Sequence, residues 1–351
     1  MEEGLSGSLI LISFPMNAFR IEAFSRGKTH AAPHDNEDAF VLIPDCVYAV
    51  IDGATDRLGT RYNGMYAGRY ASFLVKQTIE QEFAAHDRVL PELPVLLNAI
   101  NRKFQTAYHQ HGILEKAREN ATYRFTATLA LVEQKTDHIL LTNIGDSGIR
   151  INGTHTYQRS KPLDHITALL RQAGWQHLET LSMTAEEREQ ASRRLCFQGL
   201  GFLDENDSRW FDSNARATIR DKAFSQASAD LPHVPKALIE HLLENGIVHG
   251  QHVYQNCEQT CLGYAAIDGF DIPAALIERH RIALDEIHRI ELFSDGYFDP
   301  PASFGVEAWE DSHRRVEEKD PAKVLYWLGQ KGTTPNQWTD DRTYLGVERI
   351  L

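Results

Sequence analysis

The chain has 351 residues, 42% of them hydrophobic and 24% charged, which is the balance of an ordinary globular protein able to bury a substantial core. Its net charge of −13 argues against general nucleic-acid or anionic-membrane binding and leaves two readings, acidic clusters that hold cations or a merely solvated acidic surface. Four cysteines (Cys46, Cys196, Cys257 and Cys261) are too few for a disulfide scaffold, no apolar run reaches the ~18 residues of a transmembrane helix, and the acidic start lacks the basic region of a signal peptide, so a cytoplasmic location is expected.

Taken in order, residues 8–14 and 19–24 read as strands, and a polar loop follows from Ser25 to Asp38. AFVLIPD and CVYAVIDGATD predict two strands joined at Pro44-Asp45, the second running into Asp52-Gly53. Apolar residues at three- and four-residue spacing predict a helix over 63–83, and a second helix is expected over 93–116. Strands return at 123–134 and 138–146, and Asn152-Gly153 marks a hairpin. Strands, two helices and strands again favour an α+β fold with antiparallel sheets over regular βαβ alternation.

The stretch 160–256 reads as helices over 163–176, 184–196 and 235–245 with a loop-like 199–217 between them. IELFSDGYFDP (290–300) is a buried strand ending in Asp-Gly, with Asp299 expected one helical turn beyond Asp295. Helices are expected over 304–316 and 321–329, and a last strand is entered through Asp340 and Asp341.

The carboxylates recur at strand ends. Glu37 and Asp38 precede a strand, Asp52 and Asp146 end strands, Asp295 and Asp299 follow one, and Asp340 and Asp341 begin the last. In two packed sheets such ends converge at one edge, so these residues can share a cleft. Crowded carboxylates need compensating charge, and hard divalent ions such as Mg²⁺ or Mn²⁺ suit oxygen donors. The alternative is a set of separate turn and cap aspartates.

The ordered motifs NEDAF, AVIDGATD, FTATLALV, TNIGDSGIRI, PLDH, LFSDGYFD and TDDRTYLGV resemble those of the metal-dependent type 2C serine/threonine protein phosphatases. The resemblance implies a β-sandwich of two antiparallel sheets flanked by helices, a single domain over 1–351 with a variable flap at 160–256, and two Mn²⁺ or Mg²⁺ ions at one end, joined in some members by a weaker third. It implies that Asp52 bridges both ions, that the Gly53 carbonyl binds one, that Glu37 reaches the second while Asp38 orders a metal-bound water, and that Asp295 and Asp340 hold the first. Asp146 and Asp299 match the pair that binds the third ion, and Asp341 stands where Asn is frequent. Implied partners are a phosphoserine or phosphothreonine protein and a cognate kinase.

The chain also departs from that pattern. Pro33 occupies the place of the family's phosphate-gripping Arg, with Lys28, His30 and His34 as candidate substitutes, and Ala54 stands where many relatives carry a candidate general-acid His. These losses keep two other readings open, a catalytically weak regulatory binding module and a phosphatase of small phosphate esters. In the flap, Trp175, Trp210 and Phe211 read as satellite core or as a substrate-facing patch. His249, His252, Cys257 and Cys261 form H-x2-H-x4-C-x3-C, whose residue types ligate zinc but whose spacing is not that of a standard finger.

Overall fold

The computed structural model describes residues 18–55 and 59–350, so the strand expected at 8–14 lies outside the described residues. The chain runs through β1 (Ala18–Arg26), β2 (Ala39–Ile43), β3 (Val47–Gly53), the short pair β4 (Arg61–Tyr62) and β5 (Met65–Tyr66), then α1 (Ala67–Ala85), α2 (Leu93–Gln110) and α3 (Leu114–Glu119). It continues with β6 (Ala127–Gln134), β7 (His138–Ile144), β8 (Gly148–Ile151), β9 (His155–Tyr157), α4 (Pro162–Leu178), α5 (Ala185–Gln198), α6 (Ser213–Asp230) and α7 (Lys236–Gly250). It ends with β10 (Glu278–Ala283), β11 (Arg289–Phe293), α8 (Val306–Lys319) and β12 (Arg342–Ile350).

Two five-stranded antiparallel sheets result, ordered β1-β12-β11-β8-β9 and β10-β7-β6-β3-β2. Alternation along β3 explains their packing. Tyr48 and Val50 join Ala130, Val132 and Leu141 against Ile149, Leu292, Leu345 and Val347 of the other sheet. Val47, Ala49 and Ile51 face the opposite way, into a second core with Leu74, Ile79, Ile100 and Phe104 of α1 and α2. A strand buried on both faces therefore reads as a continuous apolar run. On the outer face of the other sheet, Phe293 and Tyr344 pack with Trp309 of α8. The expected α+β sandwich flanked by helices is the fold observed.

Between β9 and β10, α4 to α7 build a helical unit with its own core, including Leu163, Leu170, Leu195, Phe211, Ile219 and Leu242. Phe211 is buried in that core and Trp210 packs at its edge, so both are satellite core, whereas Trp175 of α4 is buried outside that cluster, with Arg171 and Arg188 over its ring. Thr184 and Glu187 form a capping box at the start of α5, within the helix expected from 184.

Four expectations differ from the structure. The helix expected over 93–116 divides into α2 and α3 at Gly112, whose φ of 68° no helix continues through. The loop-like reading of 199–217 missed α6, whose buried stripe is mostly small: Ala215, Ile219, Ala223 and Ala227. The strand β10 was missed because ERHRIA is a polar edge. Finally, 321–329 is not a helix. The Asp320 carboxylate accepts the backbone N–H groups of Val324, Leu325, Tyr326 and Trp327, which bends that segment into a turn. The buried Arg171 of α4 donates to the carbonyls of Ala322 and Gly329 and pins this turn to the helical unit. Among the described residues no helix is long and apolar enough to cross a membrane.

Candidate metal centre

The strand registers bring the carboxylates to one edge of the sandwich. Asp52 and Gly53 close β3 opposite Thr128 and Ala127, Asp38 immediately precedes β2, and Asp146 lies in the turn between β7 and β8. Asp341 directly precedes β12, and Asp295 stands two residues past β11. Antiparallel pairing sends β2, β6, β8 and β12 away from this edge and brings β3, β7 and β11 into it. A close backbone approach tightens the arrangement: a Cβ on Gly53 would lie 2.2 Å from the Gly68 carbonyl oxygen, and one on Gly68 would lie 2.6 Å from Glu37 Oε1 and from the Gly53 oxygen. Only glycines let the start of α1 lie this close to β3 and Glu37.

Lysines enter the cluster from three directions. The Lys28 ammonium is 2.7 Å from Glu37 Oε2, 2.9 Å from Asp341 Oδ2 and 3.2 Å from Asp340 Oδ1, and donates to Thr55 Oγ1 at 2.9 Å. Lys331 pairs with Asp340 Oδ2 at 2.8 Å, and Lys161 with Asp146 Oδ2 at 2.7 Å. Asp38, Asp52 and Asp295 have no ion-pair partner among the described residues.

The electrostatics divide along the same line. Burial comes first in raising the Asp38, Asp52 and Asp295 carboxyls well above the usual carboxylate range, and neighbouring carboxylates add to it. Asp295 lines the cleft and is exposed there. At Asp340 burial acts upward too, but Lys331 and Lys28 outweigh it and hold that carboxyl below its ordinary value.

Among the described residues no three His, Cys, Asp or Glu side chains stand as a ready ligand shell, and in this cluster Lys28 lies between three of them. The donor set nevertheless fits a hard divalent ion. Oxygen donors are what such ions take, and two buried carboxylate oxygens, Glu37 Oε1 and Asp38 Oδ1, have no hydrogen-bond partner. Buried anionic oxygens left unpaired are costly, and a cation would satisfy them.

A family comparison adds the decisive observation. The protein phosphatase 2C model matches residues 27–328. The chain belongs to the protein phosphatase 2C family. The match takes in Glu37, Asp38, Asp52, Asp146 and Asp295 and stops before Asp340 and Asp341. No curated relative matches the chain. Solved structures that it resembles include the Mycobacterium tuberculosis serine/threonine phosphatase PstP/Ppp, at 16% identity and a TM-score of 0.44, covering 95% of this chain and 99% of that one. A catalytic-domain structure of PstP in complex with two manganese ions gives 15% identity, a TM-score of 0.42 and coverage of 95% and 99%. Staphylococcus aureus Stp1 gives 15%, 0.39, 95% and 96%.

In this phosphatase 2C chain the cluster opens onto a cleft of about 440 Å³. Asp52, Asp146, Asp295 and Asp340 lie along it, with the helical unit contributing a wall that includes His165, Phe197 and Ile247. Asp299 does not join them. Past Gly296 the chain turns instead of continuing as a helix, so Asp299 is exposed outside the cleft, its carbonyl accepting from Ser312 Oγ. Of the three basic loop candidates only Lys28 reaches the cluster. His30 is exposed, with its ring edge on Trp338 and Nδ1 at 3.0 Å from the Pro335 carbonyl oxygen, and His34 is exposed on the turn Pro33–Asp35. Sequence reasoning missed Lys161 and Lys331. Lys161 immediately precedes the PLDH motif, which is a usable signal, whereas Lys331 reaches the cleft only through the turn that Asp320 and Arg171 shape. The His249–Cys261 motif is not gathered: His249 stacks on Phe202 and bonds Gln198, and Cys257 donates to Gln259.

Proposed function

We propose that this chain is a divalent-metal-dependent protein phosphatase that hydrolyses phosphoserine or phosphothreonine monoesters. The observation that carries the reading is the trio Asp38, Asp52 and Asp295, without compensating ion pairs among the described residues, with Asp52 and Asp295 lining a cleft and Asp38 buried beside them. When bound, two Mn²⁺ or Mg²⁺ ions supply Lewis acidity that lowers the pKa of a water and neutralises charge on the transferring phosphoryl group.

In this reading Asp52, Asp295 and Asp340 would hold one ion, and Asp52, the Gly53 carbonyl and Glu37 would hold the other. Asp38 has Oδ2 held by Ser294 Oγ at 2.8 Å, which leaves Oδ1 to orient the attacking water. Lys161 and Lys331 flank the cleft, where their ammonium charge draws in a phosphate dianion without the bidentate fork of an arginine. Asp146 remains a candidate for a third, weaker ion, and the exposed Asp299 would have to swing inward to share it.

A second reading keeps a specific observation of its own. Three lysines already neutralise part of the cluster, as expected of a weak phosphatase fold serving as a regulatory binding module. Phosphate release from a phosphopeptide, with Mn²⁺ or Mg²⁺ and with excess EDTA, separates the two. Metal-supported release that EDTA abolishes establishes the enzyme, and release undiminished after complete metal removal overturns the metal mechanism. A small chromogenic ester run in parallel tests whether the substrate is a protein.

A further inference from the structure

We propose that Lys28 is a tethered cation built into the metal centre: its ammonium holds the Glu37–Asp341 side, so one divalent ion binds tightly beside Asp52 and Asp295 while an ion on the Glu37 side must displace Lys28. The inference rests on the metal-dependent reading above.

Four oxygens surround the Lys28 ammonium within 3.2 Å: Glu37 Oε2, Asp341 Oδ2, Asp340 Oδ1 and Thr55 Oγ1. Oxygen-rich contact of this kind is what a small hard cation would otherwise receive. The side chain is 15% exposed, so the charge is delivered inside the protein and not from its rim. The backbone is fixed as well. Lys28 N–H donates to Asp341 Oδ1 at 2.7 Å, its carbonyl accepts the Trp338 N–H at 2.9 Å, and the preceding Gly27 packs where a Cβ would meet the Pro33 carbonyl oxygen at 2.5 Å. Asp341 therefore grips Lys28 at both its backbone and its ammonium.

The neighbouring oxygens show where this cation's reach ends. Glu37 presents Oε2 to Lys28 and keeps a buried, unpartnered Oε1, and Asp38 keeps an unpartnered Oδ1. Both side chains are more than nine-tenths buried. An ion entering at Asp52 and Asp295 meets two carboxylates that no lysine holds, and only Asp340, paired with Lys331 and at longer range with Lys28, would be shared with an ammonium. An ion approaching Glu37 meets an ammonium already on one of its two oxygens, and two cations cannot share that oxygen without strong repulsion. The chain's own residues thus make the two halves of the centre unequal.

The test is Mn²⁺ binding to the full chain by isothermal titration calorimetry, with electron paramagnetic resonance to report spin-coupled Mn²⁺ pairs. Wild type is expected to bind one Mn²⁺ tightly and a second more weakly, with the pair signal appearing only at high Mn²⁺. Lys28→Met should strengthen the weaker step by at least about tenfold, the scale on which groups contacting metal ligands tune affinity. Lys28→Arg, which keeps the charge, should leave it weak. Thermal melting in EDTA identifies a misfolded variant, and Lys28→Gln then serves in place of Lys28→Met. Two equally tight ions in wild type, or an isotherm unchanged by Lys28→Met or Lys28→Gln, would overturn the proposal while leaving metal-dependent hydrolysis standing. Absence of Mn²⁺ binding in every folded variant would overturn the metal reading itself.

Discussion

The two sides of the carboxylate cluster solve the same electrostatic problem differently. On one side Glu37, Asp340 and Asp341 are paired with Lys28 and Lys331, so their negative charge is met by the chain itself. On the other, Asp38, Asp52 and Asp295 have no lysine partner among the described residues, and burial first, then neighbouring carboxylates (Asp341 at Asp38, Asp38 at Asp52, Asp52 at Asp295), raises all three. Acidic residues alone do not mark a metal centre, since paired ones are already satisfied. The informative feature is crowded carboxylate at a cleft that the protein leaves uncompensated.

The strongest way to break this contrast is to remove the unpaired side. Asp52→Ala or Asp295→Asn should lower phosphopeptide turnover by roughly two orders of magnitude or more, because a lost ligand disturbs both ions of a shared centre. Near-normal turnover in either variant would dissolve the proposed role of that side. Next in size is stability without metal. With EDTA present, Asp52→Asn should stabilise the fold by about 1 kcal/mol by removing a crowded charge, whereas Asp341→Asn should destabilise it by ~1–3 kcal/mol by taking a carboxylate from a buried ammonium. Denaturant unfolding reads both, and shifts of the same sign would erase the distinction between the sides.

Smaller effects sharpen the picture. Lys161→Ala and Lys331→Ala should each raise KM by roughly tenfold with a lesser fall in kcat, if they hold phosphate equally in the ground and transition states. An unchanged KM in both would remove the lysines from substrate binding. Asp341→Asn should reduce metal-loaded turnover only a few-fold, far less than Asp340→Asn, in keeping with the frequent family residue at that place. The reverse ranking would shift the ligand assignment by one residue. The least effect is expected from His30→Ala and His34→Ala, whose side chains stand apart from the cluster; a large KM rise in either would show that the loop folds inward over substrate.

What the sequence by itself determined is the strands that carry the acidic residues, the Asp-Gly and Asp-Asp placements at their ends, and the family. Val, Ile and Tyr runs ending in Asp-Gly or opened by paired acids are local signals, and antiparallel sheets carry their ends to shared edges, so the convergence of Glu37, Asp38, Asp52, Asp146, Asp295 and Asp340 was legible before any fold was seen. Only the tertiary structure decided how the cluster is compensated. Lys28, Lys161 and Lys331 come from three distant segments, and nothing local to a lysine tells which carboxylate its flexible stem will meet. Tertiary contacts likewise decided that Asp299 faces outward and that 321–329 bends around Asp320. They also made α6 a helix: its alanine stripe is a weak hydrophobic signal, and it becomes a core face only because α4 and α7 cover it.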